Sequence, residues 1–337
     1  MSRFGQIARE LGRFIPADAV RPLGRPAAVF FHGVEPATRD ARLQHNHHEV
    51  ADFRAIAKTL RADFDVLPLA ALDDVLKAPD RHPRALFLMS DDGYANTLSV
   101  AADILEEAQL PWTLFASTHH IATGERNPVF LARLFCFAAP GGVYDIPHLP
   151  RPIILGEARD AMADRTVWQL RDLDMVRAQQ AVDAMLAAFD AAALLEDFAS
   201  ETFLDWDGLR ALKARGVEIG AHAHRHWPMH DAQAPSTLRE QAAMPKALIE
   251  AHVGPCRYFS YPFGNKGDVS RGAWQAVRDA GYAAAFATLA GTLDAQANPF
   301  LLPRFELTAR GDHLTALISL LRAGNRRVEN WQRALAG

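Results

Sequence analysis

The chain has 337 residues, 49% hydrophobic and 23% charged, with a formal net charge of −4. That balance excludes a disordered or membrane-embedded chain and any broad attraction for nucleic acid or anionic lipid, and the length suits one barrel-sized domain or two smaller ones. Cys136 and Cys256, the two cysteines, lie far apart and suggest neither a disulfide framework nor a thiolate metal site, so a reducing compartment is the simpler expectation.

Residues 1–26 read as a helix and a linker. In MSRFGQIARELGRFIP charges interrupt every apolar run, so neither a signal-peptide core nor a membrane span is present, and a cytoplasmic location is expected. Phe4, Ile7, Ala8, Leu11 and Phe14 recur at helical spacing beside Arg3, Arg9 and Arg13. Such a helix packs on its own domain or lies peripherally on a membrane surface.

The breakers Pro22, Gly24 and Pro26 are followed by AAVFFH, a buried strand ending in His32. Phe53, Ile56, Ala57 and Leu60 then predict a helix over 50–60, and DFDVLPL a second strand. ALFLMS (strand), NTLSVAADILEEAQL (helix) and PWTLFAS (strand) continue a β-α rhythm that argues for parallel strands. Residues of about 127–203 interrupt it: Pro- and Gly-rich stretches precede an Ala-rich helical pattern over 176–198, which reads as an insertion on the ligand face. The rhythm resumes with a helix closed by Gly216, the strand VEIGAH, a helix closed by Gly281 and the strand YAAAFAT. The chain thus divides into the leading helix, a barrel over 27–310 and a helical tail over 311–337, where Leu314, Leu317, Ile318 and Leu321 mark a packed face.

Chemistry concentrates at three strand ends. Ser90-Asp91-Asp92-Gly93 follows the apolar run from Ala85 to Met89 directly, so two carboxylates stand where barrels keep their sites. Neighbouring strand residues point to opposite sides, which lets one aspartate bind a metal while the other handles protons; taken alone, the tripeptide is also the composition of a solvated turn. Gly220 to His226 follows VEI and holds His222 and His226, four apart, which on a helical turn would face the same way and chelate one divalent ion, with His224 facing elsewhere. Two histidines and the Asp92 carboxylate, with positions open for water and substrate, make a hydrolase-type set. Ser260-Tyr261-Pro262-Phe263-Gly264 is a rigid turn that could aim a backbone N–H at a developing oxyanion, or simply be structural.

In this order and spacing the three pieces resemble the polysaccharide deacetylase (NodB-homology) family, carbohydrate esterase family 4. The family's Asp-Asp-Gly motif matches Asp91 to Gly93, its His-x-x-x-His motif His222 to His226, and its Arg-x-Pro-Tyr motif Ser260 to Phe263. FFHGVEP around His32, PWTLFASTHHIATG and LPRF around Arg304 extend the likeness over residues of about 27–308, the insertion apart.

The resemblance implies an α/β fold, a distorted (β/α) barrel of about seven strands carrying a helical insertion. It also implies a metal-dependent hydrolase that removes an acyl group, acetyl first, from the nitrogen of an amino sugar in a glycan or glycan precursor. Asp91 would be the general base, Asp92, His222 and His226 the ligands of Zn2+ (or Co2+, Mn2+, Ni2+), and the N–H of Phe263 an oxyanion donor. Tyr261, Pro262 and His32 are the candidate substrate contacts.

The chain departs from the family in three places. Ser260 stands where the Arg that orients the base is usual, with Arg304 as its candidate replacement; Ser90 precedes the aspartates where an apolar residue is usual; and the late Leu-x-His general acid has no match. His32, His48, His119, His120 and His230 are other candidate acids or sugar contacts, and His313 reads as filler of the tail helix. Two alternatives remain open: a deformylase or deacetylase of a lipid-linked sugar, and a carbohydrate-binding barrel without catalysis.

Overall fold

The structure, a computed structural model, describes residues 25–307. The leading helix with its membrane contact, the tail over 311–337 and His313 therefore fall outside the described residues, apart from residues 25 and 26. No helix among the described residues is long and apolar enough to cross a membrane.

In chain order the strands are β1 (Ala27–Phe31), β2 (Gly33–Glu35), β3 (His47–Glu49), β4 (Asp65–Val66), β5 (Ala85–Ser90), β6 (Thr113–Ala116), β7 (Gly142–Tyr144), β8 (Ile153–Leu155), β9 (Glu218–Ala221), β10 (Tyr258–Ser260), β11 (Ala284–Phe286) and β12 (Phe305–Glu306). Seven of them line up as β11-β10-β9-β6-β5-β1-β12, every pair parallel, with β4 added to β5. Leu302 bridges to Phe286 of β11, and three residues later Phe305 begins pairing with β1, so the segment 302–306 draws the two ends of the curled sheet together. This is the distorted (β/α) barrel expected from the alternation of strands and helices.

Both faces of the sheet are buried, as parallel strands require, and the period of two sorts the side chains. Ala28, Phe30, Phe87, Met89, Phe115, Tyr258 and Phe286 fill the barrel interior. Val29, Phe31, Leu86, Leu88, Leu114 and Phe259 face the helices around it, including Phe53, Ile56 and Leu60 of helix Val50–Asp63. Each such aromatic or aliphatic side chain, fully buried, contributes about 1.5–3 kcal/mol of transfer free energy.

Two local expectations change. DFDVLPL supplies only Asp65–Val66 as strand, because Pro68 lacks an N–H for the ladder and starts a 3-10 turn instead. NTLSVAADILEEAQL begins as a π-helical turn over Thr97–Ala101 before the α-helix Ala102–Glu107, and Thr97 Oγ1 donates to Tyr94 O at 2.6 Å.

Between β6 and β9 the insertion builds helices Pro128–Ala138, Arg159–Arg171, Met175–Ala187 and Ala192–Asp197 and the hairpin β7-β8. These bury a core of their own, with Phe130, Phe135, Cys136, Ile153 and Met185 at its centre and Leu43 and Trp227 entering from the barrel. Its far end is stitched to the loop after β5: Ala95 N–H donates to Thr202 O (2.8 Å) and Leu204 N–H to Gly93 O (2.9 Å).

Candidate active site

The alternation along β5 places the first carboxylate. Phe87 and Met89 point into the barrel, so Asp91 does too, at the carboxyl end of the sheet, and its N–H donates to Phe31 O at 3.0 Å. Ser90 faces the other way and donates its hydroxyl to His32 O at 2.9 Å, tying the ends of β5 and β1 together. The polar residue found where an apolar one is usual therefore has a structural partner.

Asp92 has φ 76° and Gly93 φ 94°, so the chain turns sharply and aims Asp92 away from Asp91. A left-handed aspartate costs of order 1 kcal/mol or more and persists where the surroundings over-determine it. Asp92 Oδ1 lies 3.2 Å from His222 Nε2 and 3.0 Å from His226 Nε2. The pairing of His222 with His226 does not come from a helical turn, as the spacing alone suggested: residues 222–228 form a bent loop in which Ala223 takes φ 57°. His222 Nδ1 is 2.9 Å from Ser260 O, which directs Nε2 toward Asp92. His224 turns away to Thr118 Oγ1, at 2.9 Å.

Asp92 Oδ1 is buried and within ion-pair distance of both imidazoles, yet it has no hydrogen-bond partner among the described residues. One ligand atom from each of Asp92, His222 and His226 lies within 4.8 Å of the others. Three buried donors aimed at a common point, one of them an unsatisfied carboxylate oxygen, fit a divalent ion. Asn127, the N-cap of helix Pro128–Ala138, contributes its Nδ2 at 3.5 Å from Asp92 Oδ2.

Asp91 is held from the opposite side. Arg304 Nη1 and Nη2 donate to its two oxygens at 2.9 and 2.8 Å, and Nη2 also donates to Ser260 Oγ (2.7 Å), which donates on to Asp91 Oδ2 (3.3 Å). Arg304 is fully buried in the barrel interior, its guanidinium 4.2 Å from the Phe30 ring centroid. Burial pushes the Asp91 carboxyl up, but the charges of Arg304 and His222 outweigh it and hold the group below the usual carboxylate range.

These groups open into a cavity of about 250 Å³ lined also by His32, Phe263, Tyr94 and Glu201. Phe263, at φ 60°, stands over His226 with ring centroids 5.2 Å apart, and the N–H groups of Tyr261 and Gly264 in the same turn are committed to Phe286 O and Pro262 O. Tyr261 itself is a correction to the sequence reading. Along β10, Tyr258 and Ser260 face the interior, so Tyr261 faces the helices: it is fully buried against Phe259 and donates its hydroxyl to Phe300 O at 3.0 Å. Pro262 is buried in the turn and does not line the cavity.

Of the five histidines weighed as acids or sugar contacts, His32 lines the cavity. His48 and His230 bond the carbonyls of Leu307 and Arg171, His119 the Glu125 carboxylate, and His120 the Glu125 carbonyl. Burial lowers His120 to about 3. Sequence reasoning missed Tyr94, Asn127 and Glu201. Asn127 before Pro128 carried a helix N-cap signal that could have been followed; Glu201 carried none.

A family model described as polysaccharide deacetylase matches residues 78–285, more than half of the chain. The chain belongs to the polysaccharide deacetylase family. Membership makes it a hydrolase of the carbohydrate deacetylase class, with a carbohydrate as substrate. Among solved structures the fold is similar to the Streptococcus pyogenes deacetylase PplD in complex with acetate (12% identity, TM-score 0.57, 88% of this chain and 98% of that one). It is similar also to IcaB from Ammonifex degensii (14%, 0.55, 88% and 97%) and to a de-N-acetylase from Aggregatibacter actinomycetemcomitans (14%, 0.52, 91% and 99%). No curated protein sequence matches the chain. Arg304 and His32 lie outside the matched span, so their places rest on the coordinates.

Proposed function

We propose that this deacetylase hydrolyses the N-acetyl group of an amino sugar in a glycan or glycan precursor, and that it does so with a divalent metal, Zn2+ first, held by Asp92, His222 and His226. The observation that carries the reading is the placement of Asp91, fixed by Arg304, beside the Asp92–His222–His226 donor set, in which Asp92 Oδ1 has no hydrogen-bond partner among the described residues. When bound, the ion supplies Lewis-acid polarisation of the acyl carbonyl and eases deprotonation of water. Two imidazoles and a carboxylate also accept Co2+, Mn2+ or Ni2+.

The chain's own residues supply the rest. Asp91, kept ionised by Arg304, takes the proton of the attacking water, and its two bonds from the guanidinium fix which lone pair faces the cavity. The Phe263 N–H donates to the oxyanion as the carbonyl becomes tetrahedral. His32, at the cavity wall, contacts the sugar and returns a proton to the departing amine. Asn127 steadies Asp92.

The test is acetate release from a panel of N-acetylated amino sugars and oligosaccharides, with metal content measured on the same preparations. Wild type releasing acetate, and Asp91→Asn retaining its metal while losing release by about 10²–10⁴-fold, supports the reading. A metal-loaded wild type that binds glycans and releases nothing would make the chain a binding barrel instead.

A further inference from the structure

A second buried cluster of potential ligands lies beside the same cavity and has no part in the chemistry above. Glu35 ends β2, His47 opens β3, and Glu201 comes from the last turn of the insertion. His47 Nδ1 is 2.9 Å from Glu35 Oε1 and 3.2 Å from Glu201 Oε1, and the three side chains are 0%, 9% and 2% exposed. We propose that Glu35, His47 and Glu201 form a second divalent-cation site, which clasps the insertion to the barrel at the cavity wall.

The spacing matches that of the first site, where the imidazole nitrogens stand 3.0 and 3.2 Å from Asp92 Oδ1, and here too one donor atom from each residue lies within 4.8 Å of the others. Ligands about 2.0–2.2 Å from one shared ion stand at about such separations. Glu201 Oε1 is buried and has no hydrogen-bond partner among the described residues, as Asp92 Oδ1 has none. Charge points the same way. Two buried carboxylates beside a neutral imidazole carry two negative charges, which a divalent ion balances. The nearby Arg126 guanidinium acts on Glu201 through its charge, while its hydrogen bonds go to the carbonyls of Phe198 and Leu195.

The surroundings hold the donors in place. Gln44 Nε2 and Asn96 Nδ2 donate to Glu35 Oε1 at 2.7 and 3.4 Å and hold that side chain in the cluster. The His47 ring lies so close to Gly33 that a Cβ there would stand 2.6 Å from its Cδ2 and Nε2. Two carboxylates and one imidazole suit Zn2+, Mn2+, Fe2+ or Co2+. Glu201 enters only after the helices of the insertion are in place, so the ion would tie the start of the barrel to the end of the insertion.

Asp92→Asn isolates the second site and makes the test independent of the catalytic reading. The full chain, stripped with a chelator and dialysed against Zn2+, is assayed for metal per chain by mass spectrometry and for its melting temperature. The proposal expects Asp92→Asn to hold one ion that raises its melting temperature, and Asp92→Asn/Glu201→Gln to lose both the ion and the rise. Asp92→Asn without an ion, or an ion that persists in the double variant, overturns it and leaves His47 as a proton-bearing bridge between two glutamates. If circular dichroism shows Glu201→Gln unfolded, Glu35→Gln in the same background carries the test with the same two outcomes.

Discussion

Arg304 and Asp91, 213 residues apart in sequence, meet in a two-pronged ion pair buried inside the barrel, at 2.9 and 2.8 Å. The pair sits where the last parallel segment swings back beside β1, so closing the sheet is what gives Asp91 its partner. Ser260 offers a hydroxyl to the same carboxylate, and the Arg304 fork reaches both from the residue just before β12.

Replacing Arg304 with Met should lower kcat by about 10²-fold or more and destabilise the fold by about 3–5 kcal/mol, since a buried carboxylate loses its counter-charge. Without that charge the Asp91 pKa rises, so the base becomes protonated at a higher pH and the acid limb of the kcat/KM profile moves upward. Arg304→Lys should restore part of the stability but not the fork geometry. An unshifted acid limb in Arg304→Met would show that Asp91 is not the titrating base.

His32→Gln should cut kcat by about 10²-fold while leaving bound metal and melting temperature near wild type, because the ring is half-buried at the cavity wall, with only the edge-on contact to Phe30 (centroids 5.6 Å apart) tying it to the interior among the described residues. A rise in KM alone would reduce His32 to a sugar contact.

Tyr261→Phe separates the motif's position from its role. The hydroxyl points at Phe300 O in the wall behind the cavity, so its loss should cost about 1–3 kcal/mol in denaturant unfolding and leave KM within about twofold. A large KM change with unaltered stability would contradict the placement of this ring.

Arg171 links the insertion to the turn that holds Phe263: it donates to both oxygens of Asp268 at 2.8 and 2.6 Å and lies 4.6 Å from the Phe263 ring. Asp268 in turn accepts Asn265 N–H at 2.9 Å. Arg171→Ala should therefore reduce kcat about tenfold through a looser Phe263 N–H, with metal content unchanged; steady-state kinetics beside metal analysis checks it.

Much of the site could be read before any coordinates. Asp91, Asp92, His222 and His226 stood out because each pair follows a short apolar strand, and in parallel α/β architecture strand ends are where side chains gather. Tyr261 shows where that reasoning stops: a motif names a turn, but only the alternation along β10 says which face each member takes. The structure brings the two histidines together by another local geometry than their spacing suggested: a left-handed Ala223, not a helical turn, brings the rings together.

The sequence by itself determined the periodicities, and through them the strands, the helices and the carboxyl-end position of each reactive group, because these depend on neighbours a few residues away. The tertiary structure alone decided that Arg304 serves Asp91, that Ser90 ties β5 to β1, and that Glu35, His47 and Glu201 share one buried corner. Those partnerships join residues far apart in the chain, and they arise from sheet curvature and closure, which no local pattern encodes.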